Sequence, residues 1–189
     1  DRRGIGDYSP GPVIDNVIYK RIRDQGILPT VAGMAADGND YTGFLYAGLM
    51  ITKTGEINVV EFNCRFGDPE AQPVMMRLQS DLVQHCLAAL NQTLDEEQAQ
   101  WDDKSAVGVV LAAGGYPTSF DKGFPISGLD QPLGSHQKIF HAGTAEKDGA
   151  VVTSGGRVLC ATALGGPVAE AQTEALKVLH NIRWHNVYF

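Results

Sequence analysis

The run Val59-Val60-Glu61-Phe62-Asn63-Cys64-Arg65-Phe66-Gly67-Asp68-Pro69-Glu70 constrains this chain more than any other. Apolar and β-branched residues lead into it, so Ile57 to Asn63 is predicted to be a strand. Side chains alternate between the faces of a strand, so Val60 and Phe62 share one face and Glu61 and Asn63 the other. A straight continuation adds Arg65 to the polar row. A carboxylate, an amide oxygen and a guanidinium in line are costly in a core, because each must be paired there. On a solvated face they form either a surface ion pair or a site. Hard oxygen donors such as Glu61 and Asn63 suit Mg²⁺, which takes one or two protein oxygens and leaves its other positions to water and phosphate. Arg65 beyond them offers a fork for a phosphoryl group or a carboxylate.

The flanking text supplies a frame for this strand. Residues 1–12 are rich in glycine and proline and are expected to form a loop. Asp15 is placed to cap a helix running to about Gln25 with Gly26 as its stop, and Pro29 suits the first turn of a second helix ended by Gly38-Asn39. Phe44 to Ile51 reads as a strand, and Lys53-Thr54-Gly55-Glu56 as a hairpin turn returning the chain antiparallel into Ile57–Asn63. The face opposite the polar row is then expected to pack on helices. Asp68 with Pro69, or else Pro73, starts the next helix, whose apolar spacing continues to Leu90 with a break near Ser80-Asp81.

The polar, acidic stretch from Asn91 to Lys104 marks a domain boundary, dividing the chain into residues 1–100 and 101–189. Ala106 to Ala113 is a nearly continuous apolar run, expected to be a strand buried on both faces. Lys138–Thr144, Ala150–Val152 and Arg157–Leu164 follow as strands, with Ser154-Gly155-Gly156 as a hairpin turn into the last of them. Ala169 to His180 has helical spacing, and Trp184 to Phe189 is read as a closing strand. The fold class expected is α+β.

Bulk properties exclude several function classes. With 15 basic residues against 22 acidic ones, the formal charge is −7, so duplex nucleic acid lacks the basic face it needs. No apolar run reaches the length of a membrane span, and no signal-like start is present, so neither a membrane nor an export route is expected. Cys64, Cys86 and Cys160 are odd in number and far apart, which fits reduced thiols in a cytoplasmic protein. His85, His136, His141, His180 and His185 show no metal-ligand spacing with them.

At Glu61-x-Asn63-x-Arg65 the strand resembles the Mg²⁺–ATP end of the ATP-grasp ligases. The continuation Arg65-Phe66-Gly67-Asp68-Pro69-Glu70-Ala71-Gln72-Pro73 is similar to the signature of the glycinamide ribonucleotide synthetase family. In the same order along the chain stand Tyr8-Ser9-Pro10, Pro29–Ala35, Tyr41–Leu49, Ala112–Pro117, Phe140–Thr144 and Gly155–Leu159. The segment Gly4-Ile5-Gly6-Asp7-Tyr8-Ser9-Pro10 departs from the family's usual pattern at Ile5 and Asp7, and an added carboxylate at Asp7 is out of place in a loop near phosphates.

The resemblance implies an ATP-grasp C-terminal lobe, an antiparallel sheet with helices, followed by a small β-rich α+β domain. It implies a reaction in which ATP, glycine and 5-phosphoribosylamine give glycinamide ribonucleotide, ADP and phosphate through glycyl phosphate, in purine biosynthesis. Glu61 and Asn63 would hold Mg²⁺ or Mn²⁺, Arg65 would act in catalysis, and Gly67, Asp68, Tyr8 and Ser9 would contact substrate. Asp68 has two readings, a contact to an amine or ribose hydroxyl and a cap for the following helix; Glu70 reads as structural and Arg157 as a surface arginine. The family also implies that an N-terminal domain and the lobe covering ATP belong before Asp1, so this chain alone is expected to be catalytically incomplete and to expose apolar surface. Another ATP-grasp carboxylate–amine ligase or carboxylase would keep Glu61 and Asn63 but need not keep Gly67-Asp68-Pro69-Glu70. A non-catalytic module that only packs against a partner is the third alternative.

Overall fold

A computed structural model describes residues 5–189 as mixed helix and antiparallel sheet in two compact units. One unit holds residues 5–9, 68–79 and 101–189, and the other holds residues 10–67 and 80–100. The expected division at residue 100 falls at one of these junctions, but two earlier segments, residues 5–9 and 68–79, pack with the C-terminal part.

The first unit is built on a four-stranded sheet in the order β1-β4-β8-β5, with every pairing antiparallel. Its strands are β1 (Gly6–Ser9), β4 (Ser105–Ala112), β5 (Gln137–His141) and β8 (Arg157–Gly165). The apolar run that forms β4 sits centrally and is buried at every position except a half-buried Val109. Such a strand must be covered on both faces. Helix α5 (Val168–Leu179) packs on β4 and β8, and the short helix α3 (Ala71–Arg77) packs on β1, β4 and β8. Leu111, Leu159, Ala161, Leu179, Ile182 and Trp184 form the core. Two glycines mark close approaches of the helices to the sheet. A Cβ on Gly108 would lie 3.1 Å from both Pro73 Cγ of α3 and Cys160 Sγ, and one on Gly165 would lie 2.3 Å from the Ala171 nitrogen of α5. Burial among these groups pushes the Cys160 thiol up to about 11, where it stays protonated.

Residues 5–9 are therefore not the expected loop. Gly6 to Ser9 complete the sheet edge, pairing Asp7 with Gly108 and Ser9 with Ala106. The edge is tied down by Arg77, whose Nη1 donates to Ser9 Oγ at 3.0 Å while Nε and Nη2 donate to the Asp102 carbonyl. Two more expectations change. β7 (Ala150–Thr153) pairs with β6 (Thr144–Lys147) in its own ribbon, so Ser154-Gly155-Gly156 joins two sheets and is not a hairpin turn. Residues 184–189 make one isolated bridge, Tyr188 to Ala112, in place of a strand.

In the second unit, α1 (Asn16–Ile22) is capped by Asp15, whose Oδ1 accepts from the Ile18 amide. Gly26 does not stop it: a π-helical turn, Arg23–Ile27, carries the chain into α2 (Leu28–Ala36). β2 (Tyr46–Ile51) and β3 (Ile57–Asn63) form the expected hairpin, with Gly55 at φ 80° in its turn. α4 (Leu82–Leu90) begins at Asp81, which caps the Val83 amide. Only Gly67 and Ala88 are buried in this unit, while Val17, Tyr19, Val60, Val83 and Leu90 are each at least 60% exposed. Among the described residues no helix is long and apolar enough to cross a membrane.

Two outcomes test the packing of the first unit. Gly165→Ala should destabilise the protein by about 1–3 kcal/mol or more, since the backbone of α5 must move away from β8; an unchanged denaturation midpoint would contradict the close approach. Burial, and secondarily the charge of Glu70, push the Asp7 carboxyl up to about 6. Between its ordinary value of 3.8 and about 6, the native state holds a proton that the unfolded chain has lost, so this group lowers stability as pH rises through that window. Asp7→Asn should therefore gain stability relative to the parent between pH 4 and 6 and hold that gain above it; a pH-independent difference in urea midpoints would refute this.

Candidate functional site

The β2–β3 hairpin positions the polar row, and it does so through a bulge. Gly48 faces Glu61 and Tyr46 faces Asn63, but the next position along β2, Leu49, faces Val59, so Val60 is an extra residue on β3. Cross-strand partners share a face. Tyr46, Gly48 and Met50 therefore lie with Asn63, Glu61 and Asn58, while Ala47, Leu49 and Ile51 lie with Phe62, Val59 and Ile57. Straight alternation would have set Val59 beside Glu61; the bulge removes it and leaves the Glu61–Asn63 face more polar. On the opposite face, Phe62 lines a small apolar cavity with Thr30, Val31 and Met34 of α2, together with Tyr41, Leu45 and Cys64. This is the expected helix packing, although β3 itself stays largely exposed.

Glu61 is exposed and Asn63 half-buried. Among the described residues neither side chain is taken up by an internal ion pair or hydrogen bond. No cluster of three or more His, Cys, Asp or Glu side chains able to hold a metal is found among the described residues either. Two free oxygen donors on one open face, with no all-protein cage, is a donor set that fits Mg²⁺. The row ends at Asn63. Arg65 lies past the strand in a bend, exposed, with Nη1 donating to the Phe66 carbonyl at 2.8 Å, so it does not continue the strand face as a straight chain would. The segment after β3 is pinned by Phe66, whose ring stacks on Phe44 at a centroid distance of 4.2 Å, and by the burial of Gly67.

Asp68, Tyr8 and Ser9 belong to the other unit. The helix-cap reading of Asp68 is overturned: α3 starts at Ala71, Glu70 occupies the cap position, and no side chain caps it. Asp68 is instead gripped by Arg157, which donates from Nη2 to Asp68 Oδ2 at 2.8 Å and from Nη1 to the Asp68 carbonyl at 2.9 Å. This charge-assisted fork fixes the Asp68-Pro69 segment at the start of β8. Arg157 is thus no idle surface arginine. Its partner is 89 positions away, and no local pattern in the sequence links the two. Tyr8 is exposed on β1, and Ser9 accepts from Arg77, so both occupy a strand and not a loop. The bulge had a signal that sequence reasoning passed over, a glycine inside a strand pattern at Gly48.

Comparison with known proteins identifies the family of the chain. Residues 2–71 match the family model described as phosphoribosylglycinamide synthetase, ATP-grasp (A) domain, and residues 106–189 match the one described as phosphoribosylglycinamide synthetase, C domain. The chain is 56% identical over 185 residues to a phosphoribosylamine–glycine ligase of Vibrio vulnificus, covering 98% of this chain and 43% of the relative. A ligase of the same name from Pseudomonas aeruginosa is 56% identical over 186 residues, with the same coverage of each chain. The chain therefore spans under half the length of these curated relatives. The crystal structure of phosphoribosylamine–glycine ligase from Thermotoga maritima superposes with a TM-score of 0.81 at 33% identity, over 98% of this chain and 45% of that one. A biotin carboxylase–βγ-ATP complex from Campylobacter jejuni shares the fold at 12% identity, with a TM-score of 0.68 over 97% of this chain and 40% of that one. The ordered matches to both domain models and the identity across nearly the whole chain place it in the phosphoribosylglycinamide synthetase family, with segments of that family's ATP-grasp and C domains.

Proposed function

We propose that the protein containing this chain ligates glycine to 5-phosphoribosylamine at the expense of ATP, giving glycinamide ribonucleotide, ADP and phosphate. What carries the reading is the open Glu61–Asn63 face in a chain 56% identical, over 98% of its length, to curated ligases of this name. The setting it implies is cytoplasmic purine biosynthesis.

The chemical problem is to bring a carboxylate up to a polyphosphate. A glycine carboxylate oxygen attacks the γ-phosphorus, the bond to the β-phosphate oxygen breaks, and ADP leaves. The amine of 5-phosphoribosylamine then attacks the acyl carbon of glycyl phosphate, phosphate leaves with the acyl C–O bond pair, and the amine proton is lost to solvent. Charge neutralisation and alignment supply most of the catalysis in such a transfer. A bound Mg²⁺ or Mn²⁺ would offset the charge of the phosphate oxygens and fix their geometry. Glu61 supplies a charged oxygen donor for it and Asn63 a neutral one, both from one face of the hairpin. Arg65, exposed beyond the strand end, supplies a guanidinium for the phosphoryl group or the glycine carboxylate. Gly67, Asp68, Tyr8 and Ser9 are assigned to substrate binding. For Asp68 this means acting through a carboxylate already oriented by Arg157. The chain spans 43% of the ligase it matches, which is why the activity is assigned to the larger protein.

Two substitutions in the full-length protein test the assignment. Glu61→Gln should lower kcat by at least about 100-fold, the scale of a lost electrostatic group at a reacting centre, with an unchanged melting temperature because the side chain is exposed. Normal turnover with glycine would remove Glu61 from the metal site. Arg65→Lys should lower kcat well beyond what a charge-conserving change costs, because a point charge does not reproduce a bidentate fork. Wild-type kinetics in that variant would leave Arg65 as a surface residue.

A further inference from the structure

The glycine at position 48 stands beside the bulge, but its backbone does not need the left-handed region. It is not among the glycines with positive φ, and it lies inside β2, where glycine weakens a strand. What it has is a neighbour. A Cβ on Gly48 would lie 3.1 Å from Glu61 Cγ, 3.6 Å from the Glu61 carbonyl oxygen and 3.6 Å from Tyr46 Cε1. The Glu61 stem therefore lies against the spot that a Cβ at 48 would occupy, with the Tyr46 ring beside it. The bulge at Val60 brings Gly48 and Glu61 into register as cross-strand partners, so bulge and glycine act on the same carboxylate.

We infer that Gly48 is a positioning residue for Glu61: its missing side chain leaves room for the Glu61 stem beside β2 and so sets where the carboxylate stands on the face it shares with Asn63. The inference rests on the reading of Glu61 as an oxygen donor to a divalent cation. Mg²⁺ and its mimics demand near-ideal geometry, and a donor displaced by more than about 0.5 Å is out of place. A methyl group at 48 moves the Glu61 Cγ by a few tenths of an ångström, and the same rotation or a change of rotamer carries the carboxylate oxygens, two bonds further out, through a larger distance without touching any charge.

The test is Mn²⁺ binding to the full-length protein in the presence of ATP, read from the electron paramagnetic resonance signal of the free ion, beside thermal melting. Gly48→Ala should weaken Mn²⁺ binding about 10-fold, the low end for residues that orient metal ligands, while its melting temperature stays at or above that of the parent. Glu61→Gln serves as the reference. If Glu61→Gln binds Mn²⁺ like the parent, the donor reading fails and the inference falls with it. If Glu61→Gln weakens binding and Gly48→Ala does not, the positioning role alone is overturned. Should Gly48→Ala lower the melting temperature, the loss should vanish in a Glu61→Ala background, since the crowding partner is gone. An equal loss in both backgrounds would assign Gly48 to the strand itself and overturn the inference.

Discussion

Strands β4 and β8 are buried on both faces, and most of the first unit follows from that burial. Every apolar side chain on either face has to be covered, and each face has one helix to cover it. α5 is long and amphipathic and brings Ala171, Ala175, Val178 and Leu179 to one face. α3 is one of the shortest helices in the chain, and it reaches the other face only because Gly108 leaves room for Pro73. The edge positions are held by polar clamps: Arg77 on Ser9 and Asp102, and Arg157 on Asp68.

The second unit is organised on a different principle. With Gly67 and Ala88 as its only buried residues, it has nothing resembling the core of the first. Its order comes from local devices: the Asp15 and Asp81 caps, the Gly55 turn, the Arg21 Nη1 bond to the Gly55 carbonyl at 2.6 Å, and the Phe44–Phe66 stack. Such devices each contribute only about 1 kcal/mol. A hairpin whose faces are mostly exposed can present polar groups at little desolvation cost, and that is the setting in which Glu61 and Asn63 stand without a side-chain partner among the described residues.

Arg157 and Asp68 show how a sequence motif can be recognised correctly while one of two readings of a residue in it, the helix cap, fails. The Gly67-Asp68-Pro69 segment was legible as a turn, and Asp68 before a helix has the form of a cap. The helix begins two residues later than a cap at Asp68 requires, and a guanidinium 89 positions away takes the carboxylate. The same kind of long-range pairing converts Gly6–Ser9 from a glycine-rich loop into an edge strand, because the unpaired backbone of β4 needs a partner on that side.

The sequence by itself determined the elements whose signal is local. These include the buried strand at Ser105–Ala112 from its unbroken apolar run, the hairpin from Gly55, the helix break at Ser80-Asp81, and the Glu61–Asn63 face from period-two alternation. Only the tertiary structure decided the features that depend on what lies across a sheet. Those are the bulge that re-aims Glu61 against Gly48, the pairing of β7 with β6 and not β8, the strand at Gly6–Ser9, and the Arg157 grip on Asp68. Periodicity and capping report interactions over a few residues, whereas register and ion pairing between distant segments are set by which surfaces must be buried together, and no window of the chain contains that information.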